Sequence, residues 1–313
     1  MPPSRPRFGT LQFYPRKKAA KFLPRVNWST ISDNSESILG FIAYKAGMAT
    51  ALVKDSTDKV QSSGKQVYIP VTILEIPPMK IFSVRFYKYG QVIKEFVVSH
   101  DKELKRVLKV PKELHKLENL PADYDDIKII VYSLVKNSSV KKTPDLSEIA
   151  ISSPNKLEFV KNNLNKEITF SSFSKSQILD VYGLTKGKGL VGPMKRFGIT
   201  LKQHKSEKGR RRPGSLGPWH PARVTFRTPM AGQMGLFNRI TRNLILISSG
   251  DISEKNVNPK AGFIQYGKIK TSFIVLKGSV QGPQKRQLLV TPASRASKSK
   301  LKVKYEFMDL ITE

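Results

Sequence analysis

Residues 181–235 read VYGLTKGKGLVGPMKRFGITLKQHKSEKGRRRPGSLGPWHPARVTFRTPMAGQMG. Up to Thr228 the stretch carries Lys186, Lys188, Lys195, Arg196, Lys202, Lys205, Lys208, Arg210, Arg211, Arg212, Arg223 and Arg227 against one acid, Glu207. Between Leu201 and Pro221 the only large apolar side chains are Leu216 and Trp219. Fixing a backbone costs about 1–2 kcal/mol per residue, and burying a large apolar side chain returns about 1.5–3 kcal/mol. Two such side chains do not order a segment of this length. It is either disordered alone or ordered by a polyanion. Its ends, at Val181 and Val224, are expected to be anchored in strands, and its middle, 201–221, to be fixed only on the partner.

Working outward, short apolar runs bounded by Gly and Pro flank this stretch. They lie at 39–53, 67–76, 81–89, 91–98, 177–182, 222–226, 243–248, 271–276 and 287–291. Short strands with turn residues between them predict a mainly β chain built on a small barrel. Residues 95–170 interrupt it. They hold 12 acids and 13 Lys and Arg, whereas the whole chain has 24 and 55 for a net charge of +31. Leu104, Val107, Leu108, Val110, Leu114 and Leu117 have helical spacing, broken by Pro111. A buried strand is expected at 127–135, a short helix opening at Thr143-Pro144, and a second helix at 156–164. This near-neutral α/β insertion is expected to face solvent or protein rather than phosphate. Both termini are basic again. Residues 1–27 carry Arg5, Arg7, Arg16, Lys17, Lys18, Lys21 and Arg25 and no acid, with five prolines and interleaved Phe8, Phe13, Tyr14 and Phe22. Proline this dense blocks regular structure, and such an arm suits nucleic acid. The expected organisation is an arm 1–37, barrel 38–94, insertion 95–175, barrel 176–292 with a basic loop 183–221, and a tail 293–313.

A charge of +31 on 313 residues, 39% of them hydrophobic, implies a folded core and a polyanionic partner. The chain has no cysteine, which excludes disulfides and Cys-based zinc sites. His204 and His220 sit among cations that would repel a metal, and no metal or cofactor is expected. The N-terminus lacks an apolar signal region, and no apolar run reaches the ~18 residues of a membrane span. A cytoplasmic protein with no membrane partner is expected.

Residues 187–192 (GKGLVG) match G-x-G-x-x-G, but no convincing helix follows and no acid stands where a ribose would need one. A P-loop fails too, with Gly189 in place of the metal-binding Ser or Thr. Alternating Gly and Lys instead presents amides and ammonium groups to phosphates at close approach. Asp123, Asp125 and Asp126 after Pro121 read as a turn, and no nucleophile elbow or partnered base is present. No catalytic residue is assigned. Trp219, between Gly217-Pro218 and His220-Pro221 beside an arginine triplet, has flanks too polar for a core and is expected to pack on RNA.

Several motifs, in order along nearly the whole chain, resemble the universal L-three family of the large ribosomal subunit in its archaeal form. They are 8–19 (FGTLQFYPRKKA), 39–50 (LGFIAYKAGMAT), 180–196 (DVYGLTKGKGLVGPMKR), 211–217 (RRPGSLG), 219–224 (WHPARV), 230–235 (MAGQMG) and 276–283 (LKGSVQGP). The resemblance implies a six-stranded, elongation-factor-like β-barrel with two extensions reaching into ribosomal RNA. One is the N-terminal arm. The other is the loop with Trp219 at its tip, approaching the peptidyl transferase centre and the aminoacyl-tRNA entry path. It implies a structural role without enzymatic activity, early subunit assembly, neighbours of the L-thirteen and L-fourteen families, and no homo-oligomer. The residues then expected on rRNA are Arg16, Lys17, Lys18, Lys186, Lys188, Lys195, Arg196, Arg210, Arg211, Arg212, Trp219, His220, Arg223, Arg227 and Gln233. Gln233 matches a position that some bacterial members methylate. Lys208 stands about where eukaryotic members carry a modified histidine.

Overall fold

The computed structural model describes residues 12–32, 36–112, 114, 120–121, 123–138, 140–173 and 176–311. In chain order the strands are β1 (Ser37–Ile38), β2 (Phe41–Asp55), β3 (Gln66–Ile76), β4 (Met79–Lys88), β5 (Gln91–Val97), β6 (Asp126–Ser133), β7 (Leu146–Ser152), β8 (Ile178–Leu184), β9 (Gly189–Val191), β10 (Gly232–Met234), β11 (Asn238–Asp251), β12 (Ser272–Lys277), β13 (Gln287–Pro292) and β14 (Tyr305–Ile311). The helices are short: α1 (Val135–Ser138), α2 (Lys156–Asn163), α3 (Pro193–Phe197) and α4 (Lys298–Leu301). The chain is mainly β, as its apolar runs predict.

Two compact units emerge, one of residues 22–183 and 239–313, the other of 1–21 and 184–238. The larger unit holds two sheets. In one, β13, β8, β11, β12, β3 and β2 follow one another, and β13 also pairs with β2, so six strands close on themselves. The seam works because β2 is 15 residues long. Its first residues pair with β13 (Phe41↔Val290 to Tyr44↔Gln287), and its far end pairs with β14 (Thr50↔Ile311 to Asp55↔Tyr305). Closure leaves the ring strands without an open edge. The other sheet has the order β1-β7-β6-β4-β5. Apolar residues of both sheets form one core, including Phe41, Ile73, Phe86, Ile129, Val181, Phe273 and Leu289. That is why β8 is buried along its whole length. Gly183 is part of the same close packing: a Cβ there would stand 2.3 Å from Leu288 Cδ2.

Two acids lie inside this core, and hydrogen bonds explain both. Asp180 accepts from Asn243 N at 2.8 Å and from Ser294 N and Oγ at 3.2 Å each, joining β8 to β11 and to the chain after β13. Glu75 accepts from Lys270 N at 2.9 Å, Thr271 N at 3.1 Å, Thr271 Oγ1 at 2.9 Å and the Tyr266 hydroxyl. Burial, then the Glu75 charge, pushes the Tyr266 phenol well above its ordinary pKa. A third bridge ties the sheets together: the buried Tyr44 hydroxyl meets Ser133 Oγ at 2.8 Å and donates to Asp145.

Several expectations are corrected. β4 and β5 do not continue the barrel to residue 94; they belong to the second sheet, where β5 pairs with β4 (Ser83↔Val97) and β4 with β6 (Met79↔Ser133). The apolar run of β6 gives β4 a non-local partner that strand texture alone cannot rank. Over 101–120 the described residues hold only a 3-10 turn, Leu104–Arg106, because Leu104 alone is buried while Val107, Leu108 and Leu114 are exposed. His115 and Leu117 lie outside the described residues, as do residues 1–11 of the arm. Thr143-Pro144 leads into β7, not a helix, since β6 offers an unpaired edge there. No strand forms at 222–226, where the residues are exposed. The tail contains β14, whose alternating YEFMDLI completes pairing along β2. The second helix, α2, falls where expected.

Asp55, at the end of β2, accepts from Ser62 Oγ at 2.6 Å and Thr57 N at 3.0 Å. Ser62 foremost, then Thr57, holds its carboxyl below the ordinary carboxylate range. A folded-state pKa below the unfolded value of about 3.9 gives stability that is fully present above that value and lost as pH falls through the folded pKa. Urea unfolding from pH 7 to pH 3 should therefore show stability dropping below pH ~4. Asp55→Asn should remove part of that slope. A wild-type-to-variant difference that stays constant across the range would contradict the assignment.

Candidate nucleic-acid interface

The smaller unit is built from the arm and the long basic segment. The chain leaves β8 at Leu184 and reaches β11 at Asn238, a longer excursion than the expected 183–221. Its descending half is anchored at β10 and not at Val224, which is 50% exposed. At its base, β9 and β10 form a two-stranded antiparallel ribbon with Leu190 opposite Gln233. Thr185 N donates to Phe237 O at 3.0 Å and Lys188 N to Met234 O at 2.9 Å, which continues the zipper beyond the Gly189–Met234 end of the ribbon. The two halves approach so closely that a Cβ on Gly235, at φ +75°, would stand 1.9 Å from Lys186 O. Only glycine fits that left-handed, crowded position. The arm joins the same base, with Ala19 N donating to Leu236 O at 3.0 Å.

A short helix does open at Pro193, contrary to expectation. Proline stands at its first turn, and Gly198, at φ 65°, ends it in the left-handed region. The glycine motif nevertheless lies on a two-stranded ribbon, not the parallel sheet a dinucleotide site needs. α3 places Arg196 across the ribbon. Its Nε donates to Gln233 O at 3.2 Å and its Nη1 to Met230 O at 3.0 Å. The Gln233 amide donates to Met234 O and Gly235 O, each at 3.1 Å. Arg196 and Gln233 thus brace the base. Arg16 from the arm lies 4.5 Å from the centre of the Phe197 ring, and Arg196 lies 5.1 Å from it. Burial, then the charge of Arg16, pushes the Arg196 pKa down. Tyr14 packs edge-on against Phe226 at 5.5 Å, joining arm to loop a second time. The two contacts made by the arm were not legible in the sequence, because Arg16 meets Phe197 and Tyr14 meets Phe226 from about 180 to 210 positions away.

Beyond the base the segment is open. Lys202 N donates to Arg210 O at 3.2 Å and Arg210 Nε to Lys202 O at 3.3 Å. Thr228 Oγ1 donates to Leu216 O at 3.1 Å, tying the two halves together. Lys17, Lys18, Lys186, Lys188, Lys195, Arg210, Arg211, Arg212, His220, Arg223 and Arg227 are all exposed. Trp219 is 88% exposed and Phe226 73%. Trp219 is therefore no core residue. Of the expected residues the structure gathers Arg16, Arg196 and Gln233 at the base and spreads the others along the loop and arm.

Residues 1–21 and 184–238 contain one acid, Glu207, among eighteen Lys and Arg. With so little counter-charge in these stretches, like charges repel one another, and a polyanion relieves the repulsion. In the larger unit, by contrast, Arg85 pairs with Glu95 at 2.9 Å and with Glu148 at 3.5 Å.

The chain matches the family model described as Ribosomal protein L3 over residues 1–108 and 92–311. It is 35% identical to the large ribosomal subunit protein uL3 of Methanocaldococcus jannaschii, over 96% of this chain and 94% of that relative. It is 38% identical to the protein of the same name from Archaeoglobus fulgidus, over 94% of this chain and 93% of that one. Methanococcus vannielii has another such relative, 35% identical over 96% and 94%. With both basic elements and both β-sheets inside the matched residues, the chain belongs to the ribosomal protein L3 family.

Proposed function

We propose that this protein is a structural constituent of the cytoplasmic large ribosomal subunit, without catalytic activity, and that its smaller unit binds large-subunit rRNA. The observation that carries this reading is the pairing of arm and loop into one element with eighteen cations and one acid. The ring of the larger unit supplies the rigid base. Lys and Arg along the loop neutralise phosphates. Arg196 and Gln233 hold the loop's base, and Trp219 meets RNA near the catalytic centre and the aminoacyl-tRNA path. Early assembly and contact with neighbours of the L-thirteen and L-fourteen families belong to the same reading. Sedimentation tests it: the protein should stay stoichiometrically on large subunits through a high-salt wash, and release into the supernatant would contradict it.

Trp219→Ala should leave folding intact, because 88% of the side chain is exposed, while slowing aminoacyl-tRNA accommodation in reconstituted subunits. Surface substitutions usually change stability by less than about 0.5 kcal/mol. Unchanged accommodation kinetics would remove Trp219 from the proposed contact, and an unfolded variant would make it structural.

A further inference from the structure

The near-neutral region between 95 and 170 hides a basic face. Its acids are largely spent. Glu95 and Glu148 flank Arg85, Asp123 pairs with Lys88, Asp126 with Lys156, and Asp101 accepts from the Tyr132 hydroxyl. Lys102, Arg106, Lys136 and Lys142 gather at another place, lining an open groove of about 770 Å³ with Lys141, Glu103 and Val140. Lys141 lies 2.5 Å from Asp145, so its charge is already met. Glu103, the one acid of the lining, lies 3.8 Å from Lys136. The groove is also held in shape. Leu104 is fully buried beneath the 3-10 turn that carries Arg106, and Arg106 Nη1 donates to Lys142 O at 3.3 Å.

We propose that this groove is a second RNA contact, seated on the phosphate backbone of a large-subunit rRNA segment. The inference rests on the proposed rRNA binding and adds a surface remote in sequence from arm and loop. Charge complementarity selects the occupant: four exposed cations face one acid. The chemistry selects backbone over bases. The lining has no aromatic ring on which a base could stack, and lysine ammoniums act as point charges for single phosphates. The region expected to avoid phosphate thus has one face built for it.

The test measures binding of the full chain to large-subunit rRNA as salt is varied. The comparison is between wild type, a Lys102→Gln/Arg106→Gln/Lys136→Gln/Lys142→Gln variant, a charge-keeping Lys102→Arg/Lys136→Arg/Lys142→Arg variant, and an Arg210→Gln/Arg211→Gln/Arg212→Gln loop variant. Circular dichroism checks that each is folded. At about 0.7–0.9 in log–log slope per lost phosphate contact, the four-Gln variant should be shallower by about 3 and the charge-keeping variant unchanged. If the four-Gln variant keeps the wild-type slope while the loop variant loses slope, the groove is not an RNA contact though the rRNA reading stands. If neither changes slope, both fail. A four-Gln variant with wild-type RNA binding but lost affinity for a poly-glutamate peptide would make the groove a site for an acidic protein segment, overturning the proposal. Should the four-Gln variant misfold, acetylation of wild-type Lys102, Lys136 and Lys142 decides: protection by rRNA supports the contact, and equal labelling with and without rRNA overturns it.

Discussion

Raising monovalent salt from 50 to 200 mM should weaken binding of this protein to a large-subunit rRNA fragment by about 10²–10⁶-fold. The number of charges and their placement set the size of this effect. The loop holds twelve cations and the arm adds Arg16, Lys17 and Lys18 beside it. Each phosphate neutralised releases condensed counterions, and about 6–12 contacts give a log–log slope between about −4 and −10. Hydrogen-bonded readout of bases would respond far less to salt. Replacing Arg210, Arg211 and Arg212 together should make the slope shallower by about 2–3 while leaving the ring folded, because all three are exposed. A flat response in the wild-type protein would place the cations on solvent instead of phosphate.

Glu75→Ala should destabilise the larger unit by about 3–5 kcal/mol, a large share of the 5–15 kcal/mol that holds a typical domain folded. Glu75 is completely buried and satisfies four donors: two backbone amides, the Thr271 hydroxyl and the Tyr266 phenol. Removing the carboxylate leaves them in an apolar place at about 1–3 kcal/mol per orphaned group, less than additively. Glu75→Gln keeps one carbonyl acceptor and should lose clearly less. Urea midpoints measure both. Equal midpoints for wild type and Glu75→Ala would mean the donors find other partners.

These two predictions differ in how far the sequence supports them. The cations of the loop are legible because charge needs no partner to be counted. The strands of the ring are legible because β-branched runs such as VYIPVTILEI and QLLVT between turn residues report burial locally. Partner choice is not local. β4 has the same texture as β2 and β3, yet it pairs with β6, from Tyr87↔Asp126 to Met79↔Ser133, and takes β5 with it into the second sheet. β14 was hidden by Glu306 and Asp309, which point outward from a strand whose other side covers β2. The buried acids Glu75 and Asp180 make sense only once their donors, many positions away, are in place. The base of the loop follows the same rule: Gly235 meets Lys186, and Arg196 meets Met230. The charge of the 95–170 region was read as a sum, and a sum cannot show that Lys102, Arg106, Lys136 and Lys142 gather at one groove with Glu103 as its one lining acid among the described residues.

In the proposed function the loop carries Trp219 to rRNA. The chain has no cysteine, so a single cysteine can be placed by choice. Trp219→Cys tethered to an iron chelate, in large subunits reconstituted from this protein, directs hydroxyl radicals at whatever surrounds position 219. Strong cleavage of large-subunit rRNA, confined to the neighbourhood of the peptidyl transferase centre, is the expected result. Absence of rRNA cleavage from position 219, in subunits that have incorporated the protein, would contradict it.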